Sequence, residues 1–478
     1  MTVNDAETHS TATASTVTGE LDARLGMALD QALAAHRQTA LAAPDPAPAD
    51  TWAVGPLEAA LACRQIELIL PPDARALEGI HGVDGVLIDA SSLSVASAAV
   101  RQEALQAGLA FAQDAPEDCL ISYAPRAPVA GATLEESLQD SLCWVISLQQ
   151  CAPGRVPLLE WGGAEDGQAA AAWAAALSAA EKALGLPHGR IRLSLRVDTA
   201  AAVGELDALL WALRERVVAT RLVEVGVFSD LLRQSATLQA PRADILTAEA
   251  PALDALSKAL TVGSHRRGVL SLSSALPMLP IHDDPEAMHA VSSTVGALAQ
   301  GRLRNGHDGV ALVHSAFVDL VRAEARTLMP TPNQLERPLD WAVTPVLWHS
   351  PGTVEIGEAG LRNNVCIALQ VIESGLGGQG RLALYNQIED LHSGALCWMQ
   401  LWHWLRHAAA LADGRQIDAD LFEQVLHEEL DIIRVERDPE RIAHGHFEHA
   451  AALLQRLCLG DAPPVLPFSH LSQGTDRK

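Results

Sequence analysis

The clearest pattern along the chain is a series of short apolar segments, each followed by a longer stretch with helical spacing. GVLIDA at 85–90 is almost wholly apolar and predicts a buried strand, with a helical run from Val95 to Ala107 after it. The next pair is the strand CLISY at 119–123 and a helix from Leu134 to Gln149. A short strand from Val156 to Leu159 then precedes a long Ala-rich helix from Gly167 to Leu184. RIRLSLRV at 190–197 alternates apolar residues with Arg and Ser, which is the two-residue period of an extended chain. A helix from Ala201 to Val217, a strand from Val223 to Phe228 and a strand or loop over 269–281 complete the series. Repeated strand–helix units require parallel strands joined by right-handed crossovers, so the predicted class is an α/β sheet or barrel.

On either side of this region the pattern changes. Beyond about residue 338 the strands fade, and helical spacing dominates over Leu361–Gly375, Leu396–Asp413, Ala419–Arg434 and Phe447–Leu459. Near the start, residues 1–20 read as a polar, disordered tail, and Leu21–Ala43 has helical spacing. APDPAPAD at 43–50 reads as a Pro-rich linker. The expected organisation is a tail over 1–20, a helical segment with its linker over 21–55, an α/β domain over 56–337 and a helical domain over 338–478.

Charge narrows the partners. The 478 residues carry 34 Lys+Arg and 59 Asp+Glu, a formal net charge of −25. That balance argues against broad binding to nucleic acid or to an anionic membrane, both of which need a basic surface. A small anion needs only a local basic pocket and remains compatible. The lysines are Lys182, Lys258 and Lys478, so nearly all positive charge is Arg and a lysine Schiff base has few candidates. The seven cysteines include no C-x-x-C pair, which points to reduced thiols and a cytoplasmic compartment. The first twenty residues lack the apolar core of a secretion signal, and no apolar run approaches the roughly 20 residues of a membrane span.

Among motifs, no P-loop is present, and GLGGQG at 375–380 follows a helix, so it reads as a helix C-cap and loop. His444, His446 and His449 resemble a metal cluster, but they open an amphipathic helix with no nearby Cys, so a solvated helix face is favoured. Three segments are less ordinary: GSHRRG at 263–268 with DDPEA at 283–287; RNGHDG at 304–309 with PNQ at 332–334; and EAGLRNN at 358–364, running through YNQIED at 385–390 to QLWHWLRH at 400–407. DGR at 413–415 follows, ahead of an LF…EEL helix.

In order and spacing these segments resemble the malate synthase family, in its shorter A-type branch. The resemblance is strong from about Arg190 onward and weak before about residue 180. It implies a (β/α)₈ TIM barrel with an N-terminal helical clasp and a C-terminal helical plug, with the active site at the C-terminal ends of the strands. It also implies a Mg²⁺-dependent Claisen condensation of acetyl-CoA with glyoxylate, or a related 2-oxo acid, to malate and free CoA. The partners are then small molecules, an acyl-CoA and a 2-oxo acid. Two alternatives stay open: a non-catalytic or regulatory homologue, and a malyl-CoA-type lyase or condensing enzyme of altered specificity.

The resemblance also implies site residues. Such a reaction needs a carboxylate to deprotonate the thioester methyl, a positive group for the enolate oxygen, and a divalent cation to polarise the aldehyde. Asp390 falls on the family's catalytic Asp. A helix cap is an equally good reading of an acidic pair placed just before a helix. Arg126 matches the catalytic Arg if the register is shifted; otherwise Tyr123 or Ala124 takes that place. Asp198 stands where the family has a Mg²⁺-binding Glu. Val225 stands where it has a second ligand, with Glu224 adjacent; on a strand, Glu224 would point to the opposite face. His265, Arg266 and Arg267 are as readily structural as ligand-binding.

Overall fold

In the computed structural model the described residues are 23–41, 52–126 (apart from 72, 74, 92, 94, 95 and 97), 133–234, 251–339 and 356–462. The expected tail over 1–20 and linker over 43–50 lie outside them. Helix α1 spans residues 23–40. Then come β1 (Ile66–Leu70), β2 (Gly85–Asp89), α2 (Ala98–Asp114), β3 (Leu120–Ala124), α3 (Leu134–Cys151), β4 (Leu158–Trp161), α4 (Gly167–Leu184) and β5 (Arg192–Val197). The series continues with α5 (Ala200–Gly204), α6 (Leu206–Ala212), β6 (Val217–Leu222), α7 (Glu224–Gln234), α8 (Pro251–Arg266), β7 (Leu270–Leu276), α9 (Pro285–Arg304), β8 (Gly309–Leu312) and α10 (Val318–Leu328). Strands β1 to β8 close in chain order into one parallel barrel, with β1 paired to both β2 and β8. The expected α/β barrel is therefore what forms.

The C-terminal part is helical around one hairpin. It comprises α11 (Glu358–Leu376), β9 (Arg381–Leu384), β10 (Gln387–Asp390), α12 (Leu391–Arg406), α13 (Ala419–Glu436), α14 (Pro439–His444) and α15 (Phe447–Leu459). It has its own core, built on Ile367, Leu369, Trp398, Trp404, Phe422 and Leu454. Helix α12 packs against α7 and so joins this core to the barrel.

Two elements depart from the sequence pattern. The strand expected over Val223–Phe228 lies six residues earlier, at Val217–Leu222, and Glu224 opens α7. Barrel strands are covered on both faces, and all six residues of VVATRL are buried. Their polar members are satisfied inside: the Thr220 hydroxyl meets the Ser264 hydroxyl at 2.7 Å. The other departure is β1, IELIL, whose second residue, Glu67, hides the strand from a reading that expects apolar runs.

The barrel interior explains why Glu67 is there. On β5, Leu193, Leu195 and Val197 join the core between strands and helices, which turns Ser194 and Arg196 inward. Ile69, Leu87, Ala124 and Ala311 form one apolar layer inside. Beside it runs an ionic chain. Arg64 pairs with Glu67 at 2.5 Å, Glu67 with Arg221, Arg221 with Glu160 at 2.8 Å, Glu160 with Arg196 at 2.8 Å, and Arg196 with Asp89 at 3.3 Å. Charges so deeply buried persist only when each has its counter-ion and hydrogen bonds. The guanidinium neighbours hold the Glu67 and Asp89 carboxyls below the usual carboxylate range, against the upward push of burial.

Candidate active site

The β9–β10 hairpin lies over the C-terminal ends of the strands. Its two-residue loop, Tyr385 and Asn386, has positive φ at both positions (51° and 57°), as a tight hairpin of right-handed twist requires. It is tied to the segment after β7: the Leu279 N–H donates to the Asn386 carbonyl at 2.8 Å, and the Ile388 N–H to the Pro277 carbonyl at 2.7 Å. This places Arg381 and Asp390, direct cross-strand partners, beside the ends of β1 and β2. Arg381 Nη2 donates to the Ile69 carbonyl at 3.4 Å.

Asp390 ends β10 and caps α12. Its Oδ1 accepts from the backbone N–H of His392 at 2.9 Å and of Ser393 at 3.0 Å, while the Ser393 hydroxyl accepts from the Asp390 N–H. The cap reading is thus what the structure realises. It does not displace the chemical reading, because no hydrogen bond to Oδ2 is found among the described residues.

Asp198 follows β5 at the same end of the barrel and is 6 % exposed. Burial holds its carboxyl above the usual range, opposed by the nearby charges of His392 and Arg196. The Gly163 N–H approaches its Oδ1 at 3.4 Å, and a Cβ at Gly162 would come within 2.8 Å of Oδ2, so only glycine fits there. His392, in the first turn of α12, has a buried Nε2 with no hydrogen-bond partner.

The other two expected site residues also follow the C-terminal ends of strands, Arg126 after β3 and Glu224 after β6, but both are engaged by other side chains. Arg126 does not face the mouth as a free cation. Its guanidinium folds onto α3, donating to Asp140 at 2.7 and 2.9 Å and to Glu136 at 2.8 Å. Both carboxylates belong to α3, so Arg126 fastens the β3–α3 connection. Arg126→Gln is accordingly expected to cost about 1–3 kcal/mol of stability and to leave room-temperature turnover unchanged; thermal melting beside a steady-state assay checks both. Glu224 is not a strand residue. It lies in the first turn of α7, paired with Arg302 of α9 at 2.5 Å.

Most carboxylates near the mouth are paired with arginines; Asp198 is an exception, its one hydrogen bond among the described residues being the 3.4 Å approach of the Gly163 N–H, and it would hold a Mg²⁺ there together with substrate and water. Among the described residues no group of three His, Cys, Asp or Glu converges on one point. Glu160 is held between Arg196 and Arg221, Asp89 by Arg196 and the Ser91 hydroxyl, and Glu224 by Arg302. Val225, at the second expected ligand position, brings no oxygen. Guanidinium groups occupy the places around Glu160, Asp89 and Glu224 that a cation would need. Sequence reading had not singled out Arg196, Arg221, Arg381 or His392. The strict alternation of β5 was a signal for Arg196; none exists for Arg381, whose neighbours come from β1 and β2.

Of the motifs that carry the family resemblance, HRRG, NGHDG and PNQ cluster at the opposite end, where the strands begin. Asp308, just before β8, accepts the His265 Nε2–H at 2.8 Å and the Ser271 N–H at 2.7 Å on Oδ2, and the Gln334 N–H at 2.6 Å on Oδ1. Arg267 pairs with Asp207 and stacks on Trp52, 4.4 Å from the ring centroid. At the mouth end, after β7, Asp284 of DDPEA caps α9 through the N–H groups of Glu286 and Ala287. These residues fasten the scaffold.

Comparison with known proteins agrees with that scaffold. The family described as "Malate synthase, TIM barrel domain" matches residues 131–345, and that described as "Malate synthase, C-terminal" matches residues 355–463. Malate synthase A of Escherichia coli (strain K12) is 30% identical over 300 residues, covering 62% of this chain and 56% of that protein. Malate synthase of Myxococcus xanthus (strain DK1622) is 26% identical over 451 residues, covering 85% of this chain and 81% of that protein. The chain thus spans little more than half the length of the first relative. A Haloferax volcanii malate synthase, solved as a ternary complex with pyruvate and acetyl-CoA, shares the fold with a TM-score of 0.53 at 12% identity. That match covers 82% of this chain and 97% of that one.

Proposed function

Since the chain belongs to the malate synthase family, we propose that it condenses acetyl-CoA with glyoxylate, or a closely related 2-oxo acid, and releases malate and free CoA. The observation that carries this reading is the position of Asp390. Its carboxylate is fixed on the hairpin over the barrel mouth, with Oδ1 held by two backbone N–H groups. In this mechanism Oδ2 takes a proton from the thioester methyl. The resulting enolate carbon attacks the aldehyde carbon, and water then cleaves the thioester, so that acetyl-CoA, glyoxylate and water give malate and CoA. Placing both substrates beside one fixed base supplies much of the rate advantage.

Positive charge at this mouth comes from guanidinium groups: Arg381 on β9, and Arg196 from inside the barrel. A Mg²⁺ held by Asp198 would polarise the aldehyde of the 2-oxo acid, while the proton transfer and the positioning described here are the work of the chain's own residues. No described helix is long and apolar enough to cross a membrane. The test is CoA release from acetyl-CoA and glyoxylate, followed with a thiol reagent on the full chain. Turnover that depends on both substrates, with malate as the product, supports the reading. A folded preparation that releases no CoA with glyoxylate or any other small 2-oxo acid overturns it.

A further inference from the structure

The first turn of α12 carries a buried nitrogen that the mechanism leaves unused. His392 Nε2 is shut off from water and has no hydrogen-bond partner among the described residues. An imidazole nitrogen offers either an N–H or a lone pair, and burying it unmatched is costly unless a ligand completes it. Packing sets what it faces. Gly226 of α7 lies so close to the end of β5 that a Cβ there would come within 2.6 Å of the Asp198 carbonyl oxygen. Helix α12 packs against α7, which brings its first turn to the Asp198 side of the mouth. The charge of His392 accordingly acts on Asp198 ahead of that of Arg196. Asp198 is 6 % exposed, and its Oδ2 accepts no hydrogen bond among the described residues. No hydrogen bond or ion pair joins the two side chains. Two neighbouring groups with free lone pairs, both taken from water and not bonded to each other, suit a cation held between them.

We infer that His392 Nε2 and Asp198 together hold the divalent cation of this site, and that the nitrogen ligand shifts its preference from Mg²⁺ towards transition ions such as Co²⁺ or Zn²⁺. The inference rests on the condensing reaction proposed above for the use of the ion. Val225, which brings no oxygen, is next to Gly226 on α7. His392 reaches the same neighbourhood from α12, so a second ligand comes from another element of the chain. Carboxylate and water oxygens suit Mg²⁺, whereas imidazole nitrogen suits later first-row ions and Zn²⁺. Among the described residues no third such side chain joins these two, which leaves the remaining positions to water and to the oxygens of the 2-oxo acid.

The experiment is calorimetric titration of the untagged full chain with Co²⁺ and, separately, with Mg²⁺, in the absence of substrates. Wild type is expected to bind Co²⁺ more tightly than Mg²⁺ by about tenfold or more. Losing a group that merely orients a metal ligand costs about 10- to 100-fold in affinity, so His392→Ala should weaken Co²⁺ by at least that much. Mg²⁺ binding should hardly change. His392→Gln keeps the bulk of the side chain but offers an amide oxygen, and should narrow the gap between the two ions. Asp198→Asn should lose the same Co²⁺ site. A purely structural role for His392 would instead lower the melting temperature of His392→Ala and weaken both ions alike. Co²⁺ binding unchanged in His392→Ala, or weakened only as much as Mg²⁺ binding, overturns the inference even if the protein condenses its substrates. A Co²⁺ site lost in both His392→Ala and Asp198→Asn supports it even if no CoA is ever released, so the two proposals fail separately.

Discussion

Asp390→Asn is expected to abolish most CoA release while leaving the fold intact. Asparagine caps helices as well as aspartate does, so the two N–H groups at the start of α12 keep an acceptor. What the amide cannot do is accept the methyl proton, and loss of a positioned base lowers turnover about 10²- to 10⁴-fold. The companion Asp390→Ala removes cap and base together and should cost a further ~1 kcal/mol of stability. Comparing the pair separates the two roles of one carboxylate. If Asp390→Asn retains wild-type turnover and only Asp390→Ala melts early, Asp390 is a helix cap and nothing more, and the base must be sought elsewhere at the mouth.

That dual role shows what a sequence exposes and what it hides. The fold was legible because its signals are local: the alternation in β5 and the Ala-rich run of α4. The motifs HRRG, NGHDG and PNQ were equally legible, and they proved to be the fastenings among His265, Asp308, Ser271 and Gln334 where the strands begin. Strands carrying inward charge were harder. β1 and β6 hold Glu67 and Arg221, which meet 154 positions apart only after the barrel has closed. Without that partner, each looks like a polar interruption in an apolar run. The same limit applies to the site. Arg126 looked free until α3 folded over it, while Arg381 drew no notice because its place at the mouth depends on a hairpin docking 312 residues along the chain from Ile69. Side-chain chemistry made by distant segments leaves no periodic trace.

The ionic chain inside the barrel also sets the second large effect. Glu160 is 1 % exposed, and its two oxygens each accept a guanidinium Nε–H at 2.8 Å, from Arg196 and from Arg221. Glu160→Ala leaves both arginines buried with one counter-ion fewer, Arg196 relying on Asp89 and Arg221 on Glu67. Breaking a buried pair from one side costs about 3–5 kcal/mol, because the stranded charge cannot regain its hydration. The stacked pair Trp161 and Trp173, with centroids 4.9 Å apart beside β4, offers a fluorescence signal within the barrel for a urea titration. The expected result is a large fall in the midpoint at nearly unchanged slope. Adding Arg196→Met to Glu160→Ala should cost much less than the sum of the two single changes, since the second substitution removes one of the charges that the first left stranded. A small effect of Glu160→Ala, or strict additivity in the double variant, would mean that water reaches these arginines and the chain is not the sealed interior described here.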